Sequence, residues 1–146
     1  MRYVVILVFL LAFPSLSCAG SAQVVEKILF VSTLNGDAQI YLTDSEGSPQ
    51  TALTSFPGEN TQPAWSPDGR FLYFRAIRAG IHAIWRRPVG GGTATRVTMG
   101  PEDKSPSVSR DGQRLVYTMR SEQRSLVVID TTSGRRVRFE QTPFTG

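Results

Sequence analysis

The chain predicts an all-β fold: β-propeller blades of four antiparallel strands, about two and three-quarter blades in all, forming an incomplete ring. Three observations predict it. The segment Pro63 to Phe74, PAWSPDGRFLYF, returns 43 residues later as Pro106 to Tyr117, PSVSRDGQRLVY, and a repeat of ~40–45 residues marks an array in which each copy is one blade. Within each copy, short apolar runs alternate with turn residues every ~8–12 positions, the all-β pattern. Helix signals are nearly absent beyond the N-terminus.

The first blade, about residues 27–54, supplies Ile28 to Val31 as a second strand, since Leu29, Leu72 and Leu115 are each 43 apart. Ile40 to Asp44 follows as its third strand and Gln50 to Thr54 as its fourth, with turns at Asn35-Gly36 and Glu46-Gly47. Its first strand is expected to be missing, because the residues before Lys27 have another character. The second blade, about 63–98, has strands at Ala64 to Ser66, Phe71 to Phe74, Ile84 to Arg86 and Thr95 to Thr98. The third, about 106–140, has them at Ser107 to Ser109, Arg114 to Thr118, Leu126 to Ile129 and Arg136 to Phe139. Between first and second strands stand Ser66-Pro67-Asp68-Gly69 and Ser109-Arg110-Asp111-Gly112. Asp-Gly suits this hairpin because glycine takes the positive φ the turn needs without steric cost. Thr142 to Gly146 echoes Thr54 to Gly58, so the chain stops in a loop that elsewhere leads into a blade. Propellers close with ~4–8 blades. Residues 27–146 are therefore expected to be a partial propeller, the N-terminal part of a longer protein or a truncated frame. Several copies assembling one ring is the less favoured reading.

Residues 1–22 carry an export signature. Met1-Arg2 is a minimal positive start, and Tyr3 to Phe13 is an unbroken apolar run of 11 residues. That is short of the ~20 needed to span a bilayer and fits a secretory leader. Two cleavage readings stand open. Cys18, the one cysteine, follows the apolar run directly and resembles a lipidated bacterial lipoprotein site, with the leader ending before it; Leu16 lies two positions before it rather than three. Ordinary cleavage after Ala19 or Ala22 is the other. One cysteine leaves no disulfide to form within the chain. The net charge of +4 comes almost wholly from arginine, with 14 Arg against 2 Lys. The groups Arg75, Arg78, Arg86, Arg87 and Arg135, Arg136, Arg138 read as solvent-facing strand edges. Interspersed acids and no accompanying aromatic pattern argue against nucleic acid.

The repeat Pro63-Ala64-Trp65-Ser66-Pro67-Asp68-Gly69-Arg70, followed by an apolar strand and then Ile84-Trp85, resembles the WD40-like repeat of TolB-type propellers, over about residues 27–146. The resemblance implies an exported, non-enzymatic bacterial propeller that contacts envelope proteins. In TolB these include the peptidoglycan-associated lipoprotein. Here the leader runs almost directly into a blade, without the α/β domain that precedes the TolB propeller, so the implied class is a TolB-like propeller protein. Similar repeats occur in the propellers of dipeptidyl-peptidase, prolyl-oligopeptidase and tricorn-like proteases, which leaves the propeller portion of a larger exported serine peptidase as the alternative. A truncated remnant is a third.

Residues with chemistry are read against packing. Asp68 and Asp111 each precede Gly and read as caps of their own turns, and Ser66 and Ser109 as donors to the turn backbone. Neither serine lies in the Gly-x-Ser-x-Gly elbow of a hydrolase. His82, the single histidine, reads as a surface residue in a loop. Gly90-Gly91-Gly92 reads as a hairpin turn, lacking the Lys-Ser/Thr of a phosphate loop. Trp65 aligns with Val108 and Trp85 with Val128, so both tryptophans, with Tyr41, Tyr73 and Tyr117, read as packing residues. No catalytic, cofactor or metal site is expected. The loops Phe56 to Gln62 and Gly100 to Ser105 are the expected interaction surface, with Glu59, Asn60, Glu102 and Asp103 on it. The membrane enters only through a lipid at Cys18, and the location is the periplasm or the periplasmic side of the outer membrane.

Overall fold

The computed structural model describes residues 9–11, 25–121 and 124–140. Cys18, the cleavage positions and the Thr142 to Gly146 echo lie outside the described residues. The structure is all-β and forms three antiparallel sheets of four strands, arranged as propeller-like blades that do not close. Blade 1 holds β1 (Phe9–Leu11), β2 (Lys27–Ser32), β3 (Gln39–Asp44) and β4 (Thr51–Ala52). Blade 2 holds β5 (Asn60–Trp65), β6 (Phe71–Arg78), β7 (Ile81–Pro88) and β8 (Thr95–Arg96). Blade 3 holds β9 (Asp103–Val108), β10 (Arg114–Arg120), β11 (Arg124–Asp130) and β12 (Arg136–Glu140). Neighbours in sequence are neighbours in each sheet, as short hairpin connections require.

The first-strand place of blade 1, expected to be empty, is taken by β1, which pairs antiparallel with β2 from Phe9↔Leu29 to Leu11↔Lys27. Pairing covers backbone N–H and C=O groups that β2 would otherwise present as an open edge. The strand falls inside the apolar run read as a leader, so cleavage before Cys18, after Ala19 or after Ala22 would in each case remove it from the sheet.

The register corrects two equivalences. Lys27 pairs with Asp44, Phe71 with Pro88 and Arg114 with Asp130. Ile28, Leu72 and Leu115 therefore hold the same place, and the 43-residue spacing that equates Leu29 with the last two is one residue out. A one-residue slip sends a side chain to the other face of its sheet. Leu29 accordingly faces blade 2, while Leu72 faces blade 1, and they meet in one core. The same pairing sets Trp85 opposite Phe74 and Val127 opposite Tyr117, so Trp85 corresponds to Val127 rather than Val128.

The blades are held by two such cores. Leu29, Ile40 and Leu53 of blade 1 bury against Leu72, Phe74 and Ala76 of blade 2, with Trp65 and Trp85 at the margin. Tyr73 and Ile84, on the other side of blade 2, bury against Leu115, Tyr117, Val127 and Ile129 of blade 3. Alternation of side chains along a strand gives a blade two apolar faces. The fourth strands of blades 1 and 2 leave the sheet after two ladder rungs, and there a threonine hydroxyl replaces the missing backbone acceptor. The Ile40 N–H donates to Thr54 Oγ1 and the Ile84 N–H to Thr98 Oγ1, both at 2.9 Å and both buried.

The first strands begin earlier than expected, at Asn60 and Asp103 rather than Ala64 and Ser107. Each carries a bulge one residue before a proline. Gln62 (φ 52°) and Ser105 (φ 54°) have positive φ, and the register shifts across both places. Proline has no N–H to give the ladder, so a strand carries it at an edge or a bulge. The bulges also tie blade to blade, since the Ser105 N–H donates to Gln62 Oε1 at 2.9 Å.

Candidate interaction face

Two ends of the blades present different chemistry. One end carries the Asp-Gly turns. In the first, Ser66 Oγ donates to Asp68 Oδ1 at 2.5 Å and accepts from the Phe71 N–H at 2.9 Å. The Arg70 N–H and Nε donate to the same carboxylate at 3.1 and 2.6 Å. Blade 3 repeats the motif, with Ser109 Oγ donating to Asp111 Oδ1 at 2.6 Å and the Gln113 N–H donating to Asp111 Oδ1 at 2.9 Å. Gly69 and Gly112 take φ of 68° and 73°. Pro67, Arg110, Thr131 and Arg86 line an open groove of about 540 Å³ between these two turns.

The hydroxyl of Ser66, then Arg70, hold the Asp68 carboxyl down at about 2, from an ordinary 3.8. A carboxylate with a depressed folded value stabilises the fold fully above its unfolded value and loses that contribution as pH falls through the folded one. Asp68→Asn is therefore expected to be less stable than the parent at pH 5, with the gap closing between pH 3.8 and about 2. Urea midpoints of the two proteins across that range measure it, and a gap independent of pH would show that the charge of Asp68 is irrelevant to the turn.

The opposite end carries the inter-blade loops and holds the four residues expected to form an interaction surface. Two of them are not on the surface. Asn60 is 1 % exposed and Asp103 fully buried, because each opens a first strand instead of closing a loop. Asn60 Nδ2 donates to Gln39 Oε1 and to the Phe56 and Gly58 carbonyls at 3.1, 3.3 and 3.0 Å. Asp103 Oδ2 accepts from the Gly100 N–H at 2.9 Å. Both pin the loop before their strand. Glu59 remains exposed, with Arg75 Nη1 at 4.0 Å. Glu102 is held by Lys104 Nζ at 2.8 Å and Arg120 Nε at 3.8 Å, and its carboxyl is lowered chiefly by the hydrogen bond from Lys104.

Two arginines of blade 2, Arg78 and Arg86, are packed against rings. The Arg78 guanidinium lies 4.5 Å from the Phe56 ring centroid and 4.2 Å from that of Trp85, and burial lowers its pKa. Arg86 lies 4.8 Å from the Phe71 centroid. Sequence reading misses these stacks because the partners lie in different strands and loops. The one available signal is arginine on a strand that also alternates aromatics. His82 stands within β7, not in a loop, and its Nδ1 accepts from Arg75 Nη2 at 2.8 Å. The Arg75 side chain thereby joins His82 to Glu59, and His82 bridges to Glu102 of the next loop. At this end Glu59 and Glu102 are thus exposed or half-buried carboxylates that each stand beside a cation. They can present charge to a protein surface. Among the described residues no group of three or more His, Cys, Asp or Glu is placed to hold a metal ion, and no helix is long and apolar enough to cross a membrane.

Comparison with known proteins assigns this architecture. The TolB beta propeller domain family matches residues 14–142. The chain belongs to the TolB β-propeller family. It is 31 % identical over 137 residues to the Protein TolB homolog of Chlorobium chlorochromatii, covering 86 % of this chain and 31 % of that protein. The crystal structure of TolB from Acinetobacter baumannii superposes with a TM-score of 0.71 at 26 % identity, over 80 % of this chain and 30 % of the other. The TolB-like chain therefore spans under a third of the length of either relative. The tricorn protease also matches, with a TM-score of 0.61 at 13 % identity over 80 % of this chain and 12 % of that one, a likeness of fold alone.

Proposed function

We propose that this TolB-like propeller is a non-catalytic, exported protein of the bacterial cell envelope that binds protein partners through the end carrying its inter-blade loops. The observation that carries the reading is the family match across residues 14–142. The leader-like run before Pro14 supports export, to the periplasm or to the outer membrane through a lipid on Cys18. A peptidoglycan-associated lipoprotein is the partner the TolB resemblance favours, with Glu59 and Glu102 as the contact residues on this side. A rim charge of this kind steers association and sets partner choice.

The test is calorimetric titration of the chain with the purified peptidoglycan-associated lipoprotein of the same bacterium. Saturable binding is expected, weakened about tenfold, or ~1.4 kcal/mol, by Glu59→Lys with the circular dichroism unchanged. No binding by the parent chain removes this partner. Binding that Glu59→Lys leaves unchanged moves the contact to another face. Asp103 and Asn60 are unsuitable probes, since their loss would unseat the loops themselves.

A further inference from the structure

Tyr73 and Arg86 break the pattern that packs one blade on the next. The register gives each blade an equivalent pair across its second and third strands. That pair is Leu29 and Leu42 in blade 1, Val116 and Val128 in blade 3, and Tyr73 and Arg86 in blade 2. Both leucines of blade 1 pack in the core it shares with blade 2, as a contact between two sheets requires. Blade 2 turns a phenol and a guanidinium toward blade 3 instead. Burying such groups costs free energy unless they are partnered, and among the described residues they are not. Tyr73 is 5 % exposed, and its hydroxyl makes no hydrogen bond there. Arg86 is half-buried and stacks on Phe71, but no hydrogen bond or ion pair reaches its guanidinium.

Both side chains face open space. They line the groove between the Asp-Gly turns, and they also line a second hollow of about 340 Å³ beside it, which runs to Thr95 and to the turn at Gly134. The two hollows share Tyr73, Arg86, Thr131 and Thr132 and so form one trough between blades 2 and 3. Blades added beside blade 1 or blade 3 would not reach into it. The acids along the trough are engaged by their own turns. Asp68 is held by Ser66 and Arg70, Asp111 by Ser109 and the Gln113 N–H, and Asp130 by the Thr132 and Ser133 N–H groups. Arg86 is left as a cation without an anion. A guanidinium laid on a ring keeps its N–H edge free and fixed in orientation, the form that takes a carboxylate through two parallel hydrogen bonds. The Tyr73 hydroxyl, directly across the strand pair, supplies a third donor. Apolar Phe71, Val97 and Ile129 line the same trough, which suits a length of chain rather than a bare ion.

We propose that the trough between blades 2 and 3 binds an acidic peptide segment, with a glutamate or aspartate carboxylate held by Arg86 and the Tyr73 hydroxyl. The site lies at the end opposite Glu59 and Glu102 and does not rest on the function proposed for them.

Calorimetric titration of the chain with triglutamate blocked at both ends tests this, beside blocked triglutamine and inorganic phosphate. Low ionic strength keeps a half-exposed ion pair from being screened away. Triglutamate is expected to bind saturably and triglutamine not to bind. Arg86→Leu, which gives blade 2 the residue type that Leu42 has in blade 1, should lower the affinity at least ~30-fold, the loss typical of a central contact. Tyr73→Phe removes a single oxygen and should lower it ~10-fold, the loss of one hydrogen bond to a charged group. Circular dichroism checks that both variants keep their β structure. Triglutamate that fails to bind, triglutamine that binds as well, or phosphate that binds as tightly as triglutamate overturns the proposal. So does binding that Arg86→Leu leaves intact, which would place the peptide on the exposed arginines of the surface.

Discussion

Truncation of Phe74 to Ala is expected to lower the unfolding free energy by about 3–5 kcal/mol. Phe74 is fully buried in β6, and it belongs to the core in which blade 2 receives Leu29, Ile40 and Leu53 from blade 1. Its removal costs the transfer of the ring and leaves a hole between two stiff sheets, which relax only in part. Small domains hold only ~5–15 kcal/mol in total, so the variant gives up a large share. Urea unfolding should show a lower midpoint with the slope unchanged. Leu34→Ala, at a site 67 % exposed, is the control and should move stability by no more than ~0.5 kcal/mol. A Phe74→Ala loss as small as that of the control would mean that the two blades do not depend on this contact.

The sequence carried the blades because their signals are local and repeated. Ser66-Pro67-Asp68-Gly69 and Ser109-Arg110-Asp111-Gly112 each close a hairpin within a few residues, so their spacing reads out as strand order. What the sequence hid depends on pairing across space. The second strand of blade 1 matches the repeat equally well one residue to either side by apolar content, and only its pairing with β3 puts Leu29 on the face toward blade 2. The starts of β5 and β9 were masked by the bulges at Gln62 and Ser105, which break the alternation that marks a strand. Asn60 and Asp103 consequently look like polar loop residues, although both are buried and tie down the loops before them. The arginines of blade 2 were illegible for a similar reason. Only the fold brings Phe56 to one side of Arg78 and Trp85 to the other, where the long side chain covers apolar surface as well as carrying charge.

Gly58→Ala is expected to cost about 3 kcal/mol or more, from strained backbone and overpacking together. Gly58 has φ of 90°, and a Cβ there would lie 2.5 Å from the Ile77 carbonyl oxygen. That oxygen belongs to the backbone of β6, so no side chain can swing aside to make room. Gly36 separates the two contributions. Its φ is 111°, but an added Cβ there meets nothing within 4 Å, so Gly36→Ala carries the dihedral penalty alone, about 1 kcal/mol or a little more. The difference between the two variants measures the close approach of the inter-blade loop to blade 2. It also bears on binding. The Gly58 N–H donates to Asp37 Oδ2 at 2.7 Å, its carbonyl accepts from Asn60, and the next carbonyl, that of Glu59, accepts from the Ile77 N–H at 3.0 Å. Displacing Gly58 therefore displaces Glu59 while leaving its charge in place. If the loop end is the binding face, Gly58→Ala should weaken partner binding as Glu59→Lys does, even at temperatures where the variant remains folded. Equal melting temperatures for Gly58→Ala and Gly36→Ala would show that the loop does not approach Ile77 this closely, and the geometry assigned to Glu59 would fall with it.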